Sequence, residues 1–427
     1  MADAPDGNAL AGPLRHWLGA VNVGEFTRLS GGASKETWSF DAIAADGTAT
    51  GLILRRDLPG RPAEPGVLHR EAAAITKAHE AGLPVPELLF NFAAGIPGLG
   101  TAGMVMRRVA GETIARRILR DEEYAPARRA LVRQLGRFAA GLHALDVPAN
   151  YPHPDPLAGL REQLDAFDRP SETFELAMAE LTATRPPARE PVLLHGDFRL
   201  GNVIVGPEGL RAVLDWELTH VGNPAEDLGW LCVKAWRFGA APPVAGLGSR
   251  KELLAAYRDA GGADISLSEL RWWEILGTLR WGVICLGQAS VHLSGAHRSI
   301  ELAAIGRRVC EQEWDLLLLL DPEAANRAAR SRPRPSGAAQ EQPAPYGRPT
   351  ASELLEAVRE YLVGSVMPAT AGQVAFHARV AANALAIVAR ELELLHAPAG
   401  GDVAEADLAS RVAARLAVAN PKYFGDT

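Results

Sequence analysis

The sequence predicts an α+β chain closed by an all-α segment. Three observations carry the prediction. Short apolar runs crowd residues 24–110 around one helical stretch. Helical periodicity dominates residues 111–320. After a proline-rich break, a purely helical pattern resumes at 350.

The chain has 427 residues, enough for two or three domains. Hydrophobic and charged contents of 48% and 22% are ordinary for a globular protein. A net charge of −7 argues against nucleic acid or an anionic membrane as partner. Cys232, Cys285 and Cys310 are far apart and form no Cys-x-x-Cys, so they read as buried thiols of a reducing compartment. The acidic start Met1–Gly7 lacks the basic and apolar regions of a leader, and the expected location is the cytoplasm.

In chain order, Phe26–Ser30, Thr37–Asp41, Leu52–Arg55 and Met104–Arg107 read as strands. A helix is expected from about Gly66 to Ala81, stopped by Gly82 with Pro84 and Pro86 beyond. In 128–145, Leu131, Leu135, Phe138, Leu142 and Leu145 share one helical face. Further helices are expected at about 224–237, 250–260, 267–288 and 298–320. Six prolines in 322–349 mark a partly extended linker. Thr350-Ala-Ser-Glu353 has the form of a capping box and opens helices at about 351–363, 370–397 and 402–418.

The chemistry lies where the helical region is interrupted, at Leu193-Leu-His-Gly-Asp-Phe-Arg-Leu-Gly-Asn202. Two apolar runs, Val203–Val205 and Leu210–Leu214, flank the turn Gly206-Pro-Glu-Gly209 and form a hairpin. A hairpin brings its ends together, so Asn202 at its entrance and Asp215 at its exit converge. Two such oxygens, with phosphates and waters, suit magnesium. Asp197 is placed to orient an attacking hydroxyl, and Arg199 to meet a phosphate or a substrate anion. His195 reads as structural. Taken singly, an Asn or an Asp here would read as a turn cap.

His195-Gly-Asp197 with Asn202 and Asp215 resembles the aminoglycoside phosphotransferase and choline kinase-like superfamily over about residues 20–320. The resemblance implies a bilobal protein-kinase-like fold, with a β-rich N-lobe (1–110) and a helical C-lobe (111–321). The linker (322–349) and a helical accessory domain (350–427) follow. It implies ATP and Mg²⁺ as cofactors. Gly31, Gly32 and Ser34 are expected to cover the nucleotide phosphates. Arg55, where most relatives carry Lys, is expected to grip them, with Glu71 as its ion-pair partner. Strand alternation turns Arg56 to the other face. Met106 or Val109 is expected at the adenine. Asp227, in Asn223-Pro-Ala-Glu-Asp-Leu-Gly-Trp230, is expected to support the catalytic loop.

Leu54-Arg-Arg-Asp-Leu-Pro-Gly60 looks like the subfamily associated with acyl-CoA dehydrogenases, which implies a 4-hydroxyacyl-CoA thioester as the hydroxylated small-molecule substrate. Phe376–Asn383 and Asn420–Phe424 are similar to a helical protein that accompanies such kinases in levulinate-type hydroxyacid catabolism. Arg280, Arg379 and Asn383 are candidate substrate contacts. The C-terminal segment is alternatively a homo-oligomerisation element. Two rival functions remain open in the sequence: an antibiotic or amino-alcohol kinase (aminoglycoside, macrolide or choline type), and a nucleotide-binding regulatory pseudokinase.

Overall fold

The structure, a computed structural model, describes residues 8–29, 35–57, 66–92, 96, 99, 102–147, 151–167, 171–333, 349–396 and 406–424. The chain forms two compact units, residues 1–154 with 186–274 and residues 155–185 with 275–427.

The first unit begins with α1 (Asn8–Leu18), β1 (Asn22–Arg28), β2 (Lys35–Ile43), β3 (Ala49–Asp57), α2 (Val67–Glu80), β4 (Leu88–Phe92) and β5 (Gly103–Arg107). The strands form an antiparallel sheet in the order β1-β2-β3-β5-β4. Alternation along β3 divides its side chains between two faces. Leu52 and Leu54 join Trp38, Phe40 and the α1 residues Leu10 and Leu14 in one core cluster. Arg55 faces the other way, towards α2, where Glu71 is buried between Leu68 and Ile75 on the helix's inner side. Neither α1 nor β4 was expected from the sequence. Pro13 interrupts the first pattern, and Leu88-Leu-Phe-Asn-Phe92 does not alternate.

Next come α3 (Ala115–Arg120), α4 (Ala125–His143), α5 (Pro156–Asp165) and α6 (Glu172–Ala183). The short strands β6 (Val192–Leu194), β7 (Val203–Gly206), β8 (Gly209–Val213) and β9 (His220–Gly222) follow. β6 pairs with β9, and β7 with β8. α4 packs against β8 and against α8 (Arg250–Asp259), and α7 (Ala225–Cys232) is buried along its length. The hairpin and the loop before it therefore rest on a helical floor. α9 (Leu267–Leu293) buries Trp272, Trp273, Leu276, Leu279 and Val283, so Trp272 and Trp273 are core.

The second unit holds α5 and α6, the rest of α9, and seven later helices. These are α10 (Ile300–Gly306), α11 (Val309–Leu320), α12 (Pro322–Ser331), α13 (Ala351–Tyr361), α14 (Met367–Ala369), α15 (Gly372–His396) and α16 (Leu408–Ala419). The helix expected over 298–320 is two, divided at Arg307 and Arg308. The linker expected from 322 is corrected as well. Its first ten residues are helix α12, capped by Asp321 through the Ala324 N–H. Proline at the first helical position does not break a helix, because its missing N–H would be unpaired there anyway. Thr350 and Glu353 form a capping box at the start of α13.

The last helix of the accessory segment shares a core with earlier helices. Val412, Ala413 and Leu416 of α16 bury against Trp314 and Leu317 of α11 and Ala325 and Ala328 of α12. All three cysteines are buried free thiols. Among the described residues, no helix is long and apolar enough to cross a membrane.

Candidate active site

The site is built wholly from the first unit. β6 ends at Leu194, and the chain turns at Gly196, whose φ is +81°. A side chain there would run into the Leu218 carbonyl and approach the His220 ring, so glycine is required both by conformation and by space. Two backbone donors of this turn meet one carboxylate. Asp227 Oδ2 accepts from the His195 N–H at 2.8 Å, and Oδ1 from the Gly196 N–H at 2.9 Å. Burial alone would raise the Asp227 carboxyl, but the His143 contact, His195 and these N–H bonds hold it below the usual carboxylate range. His143 Nε2 lies 3.3 Å from Asp227, and its Nδ1 lies 2.9 Å from the Tyr257 hydroxyl. A buried chain from α8 through α4 and α7 thus ends on the backbone of the loop.

His195 is fully buried, and its protonation follows from its partners. Its Nδ1 faces the Asp197 N–H, which can only donate, and its Nε2 faces the Leu214 carbonyl, which can only accept. The ring is therefore neutral with its proton on Nε2. Burial lowers its pKa further, against the pull of Asp227 and Asp197.

Asp197 receives donors on both oxygens. Oδ1 accepts from Trp230 Nε1 at 2.7 Å and from Arg199 Nε at 3.0 Å. Oδ2 accepts from Asn202 Nδ2 at 2.6 Å and shares Arg199 Nε at 3.1 Å. The Arg199 guanidinium lies 4.8 Å over the Trp236 ring, a cation–π contact.

The β7–β8 hairpin closes through the Leu214 N–H to the Asn202 carbonyl at 2.8 Å, which brings Asn202 beside Asp215. Asp215 has a φ of +66°, a left-handed conformation uncommon for non-glycine residues. Arg55 reaches across from β3. Its guanidinium contacts Asp215 Oδ1 at 2.6 Å, Glu71 Oε1 at 2.7 Å and Glu217 Oε2 at 3.3 Å. Burial pushes the Glu71 carboxyl up to about 7 against the pull of Arg55, and Asp215 and Glu217 add to the rise. Burial would raise Asp215 too, but Arg55 dominates and keeps it below the ordinary carboxylate range.

These residues fit a magnesium ion by donor chemistry. With Asn202 Nδ2 committed to Asp197, its Oδ1 is the amide atom left for a metal. Asp215 Oδ2 likewise has no partner among the described residues. A hard cation that keeps several waters needs little more from the protein.

Arg56 faces away from this cluster, to Glu36 and the Leu99 carbonyl. Gly31, Gly32 and Ser34 lie outside the described residues. Met106 sits in β5, whose two edges are taken by β3 and β4, so the sheet uses its main chain. Val109 follows the strand and is half-buried. Arg280 belongs to the second unit, as do Arg379 and Asn383, both exposed on α15. Trp230, His143 and Tyr257 were missed as members of the site. A signal existed for two of them. Trp230 is one helical turn beyond Asp227, and His143 is a polar residue on the buried side of α4.

A two-part unit with an antiparallel sheet, a helical floor and this loop and hairpin defines a phosphotransferase of kinase-like architecture. The family model described as the phosphotransferase enzyme family matches residues 25–273, more than half of the sequence, and the chain belongs to that family. A second model, described as a domain of unknown function (DUF6285), matches residues 368–408. Acyl-CoA dehydrogenase family member 11 of Gallus gallus is 28% identical over 305 residues, covering 62% of this chain and 37% of that protein. Family member 10 of Mus musculus is 27% identical over 214 residues, covering 46% of this chain and 19% of that protein. The chain thus spans well under half the length of these relatives. A solved Ralstonia eutropha structure assigned as an aminoglycoside phosphotransferase aligns with a TM-score of 0.56 at 19% identity, covering 74% of this chain and 98% of that one. That likeness is one of fold.

Proposed function

We propose that this chain transfers the terminal phosphoryl group of ATP, with magnesium, to the hydroxyl of a small molecule, and that the acceptor is a 4-hydroxyacyl-CoA thioester in the cytoplasm. The observation that carries the first part is the convergence of Asp197, Asn202, Asp215 and Arg55 at one hairpin mouth. Asn202 Oδ1 and Asp215 would hold the ion, which when bound neutralises charge on the phosphates. Arg55, held between Glu71 and Asp215, supplies a planar fork suited to phosphate oxygens. Gly31, Gly32 and Ser34 are assigned to cover the phosphates. The main chain after β5 is assigned to the base edge, with Met106 or Val109 against the ring. Asp197 orients the acceptor hydroxyl and takes up its proton on its carboxylate.

Two observations support the acceptor. The relatives are named acyl-CoA dehydrogenase family members. Arg199, stacked on Trp236 beside Asp197, gives the acceptor side an aromatic face and a guanidinium suited to an acceptor anion. Arg280, Arg379 and Asn383 remain candidate contacts to the CoA portion.

Purified protein with ATP, magnesium and 4-hydroxyvaleryl-CoA is expected to release ADP and form a phosphorylated thioester. Neither product would end the acceptor claim, and ADP release with an aminoglycoside or choline instead would replace it. Asp197→Asn is expected to lower kcat by at least about 100-fold while ATP binding persists. Unchanged kcat would remove Asp197 from its role.

A further inference from the structure

The assignment of Asp197 as the group that meets the acceptor leaves open what aims it. We propose that the Trp230 indole N–H is the positioning donor for Asp197, fixing the orientation of its carboxylate towards the acceptor hydroxyl. This rests on the phosphotransfer reading above and adds a residue to it.

An ionised carboxylate has about four acceptor positions. At Asp197, Oδ1 takes two donors, Trp230 Nε1 and Arg199 Nε. Oδ2 takes Asn202 Nδ2 and the longer half of the bifurcated Arg199 bond. Among the described residues no further donor reaches the carboxylate, and each oxygen carries one donor of its own and a share of the Arg199 bond. Three donors on about four positions leave room for the hydroxyl proton.

The three donors differ in how firmly they are held. Asn202 follows the loop by five residues and moves with it. Arg199 is a long side chain only two residues away, a quarter exposed. Trp230 comes from α7, a helix buried along its length, and its ring packs on Trp236 with centroids 5.3 Å apart. It is the one donor anchored outside the loop. Three residues earlier on the same helix, Asp227 holds the backbone at His195 and Gly196. One turn of α7 thus fixes the loop's main chain through a carboxylate and its reactive side chain through an indole.

An indole has a donor and no acceptor, which suits the task. A hydroxyl or an amide at this point could turn and compete for the substrate proton, and an indole N–H cannot.

The test separates the donor from the ring. Replacing Trp230 with its benzothienyl analogue, which carries sulfur in place of N–H, keeps the ring shape and loses the bond. Both this variant and Trp230→Phe are expected to lower kcat by about 10- to 100-fold, the scale of one bond to a charged group. The nucleotide Kd should stay unchanged. The readouts are ADP release with ATP, magnesium and 4-hydroxyvaleryl-CoA, and slow ATP hydrolysis to water without acceptor. A merely structural ring predicts full activity in the benzothienyl variant, and that result overturns the proposal. A readout without turnover covers the case of a wrong acceptor. The indole N–H resonance absent in Trp230→Phe should move and lose protection from solvent exchange in Asp197→Ala. An unmoved resonance overturns the bond itself. Failure of the phosphotransfer reading would look different, since wild-type protein would then release no ADP with any acceptor while the resonance still responded.

Discussion

His195 shows how a residue of the motif can act without touching substrate. Its neutral ring joins the Asp197 N–H to the Leu214 carbonyl, tying the loop that carries Asp197 to the residue before Asp215. Its folded pKa lies below 6.5, so between those values the unfolded state binds more protons. Stability therefore falls as pH drops below about 6.5. Glu71 works in the opposite sense. Its carboxyl is raised from 4.5 to about 7, so the folded state is the more protonated across that window and acidification favours it. Wild-type melting alone mixes the two, so the difference between proteins is the measurement. His195→Gln keeps a donor and an acceptor but does not titrate. Its Tm is expected to fall less steeply than wild type between pH 6.5 and 5, and parallel slopes would show that His195 is not the titrating group.

At the scale of elements, the turn after β6 and helix α7 act together. Gly196 sits where the backbone must take a positive φ against the Leu218 carbonyl, and α7 then pins that turn through Asp227. Gly196→Ala should cost about 1–2 kcal/mol from its conformation alone, with the collision added. Its Tm should drop, and kcat should fall more than the Kd for ATP rises, because the turn aims Asp197 while Arg55 stands on a separate sheet. A variant with wild-type kcat would show that the loop relaxes without losing its aim.

Over the whole molecule, the last helix is part of a core rather than of an appendage. Leu416 is fully buried against α11 and α12. Leu416→Ala should destabilise the second unit by about 2–5 kcal/mol, read from denaturant unfolding. Ending the chain at residue 348 would bare Trp314, Leu317 and Ala325. That shortened protein is expected to aggregate or melt earlier than the full chain, and an equal Tm would restore the reading of 350–427 as a separable module.

Much of this was legible in the sequence for a physical reason. Hairpins and helix starts are local: Gly206-Pro-Glu-Gly209 must turn, Thr350 must cap, and strand alternation must part Arg55 from Arg56. The array Asp197, Asn202 and Asp215 lies within 19 residues, so its convergence follows from one hairpin. What the sequence hid depends on partners far along the chain. Trp230 reaches Asp197 across 33 positions, and His143 reaches Tyr257 across 114. α12 looked like linker because its alanines signal no core until α16 covers them. By itself, then, the sequence determined the reaction class, because the chemistry of phosphoryl transfer sits in a short local array. Tertiary structure alone decided which distant side chain bonds Asp197 and where the second core closes. Those depend on hydrogen bonds and burial between segments that meet only when the chain folds.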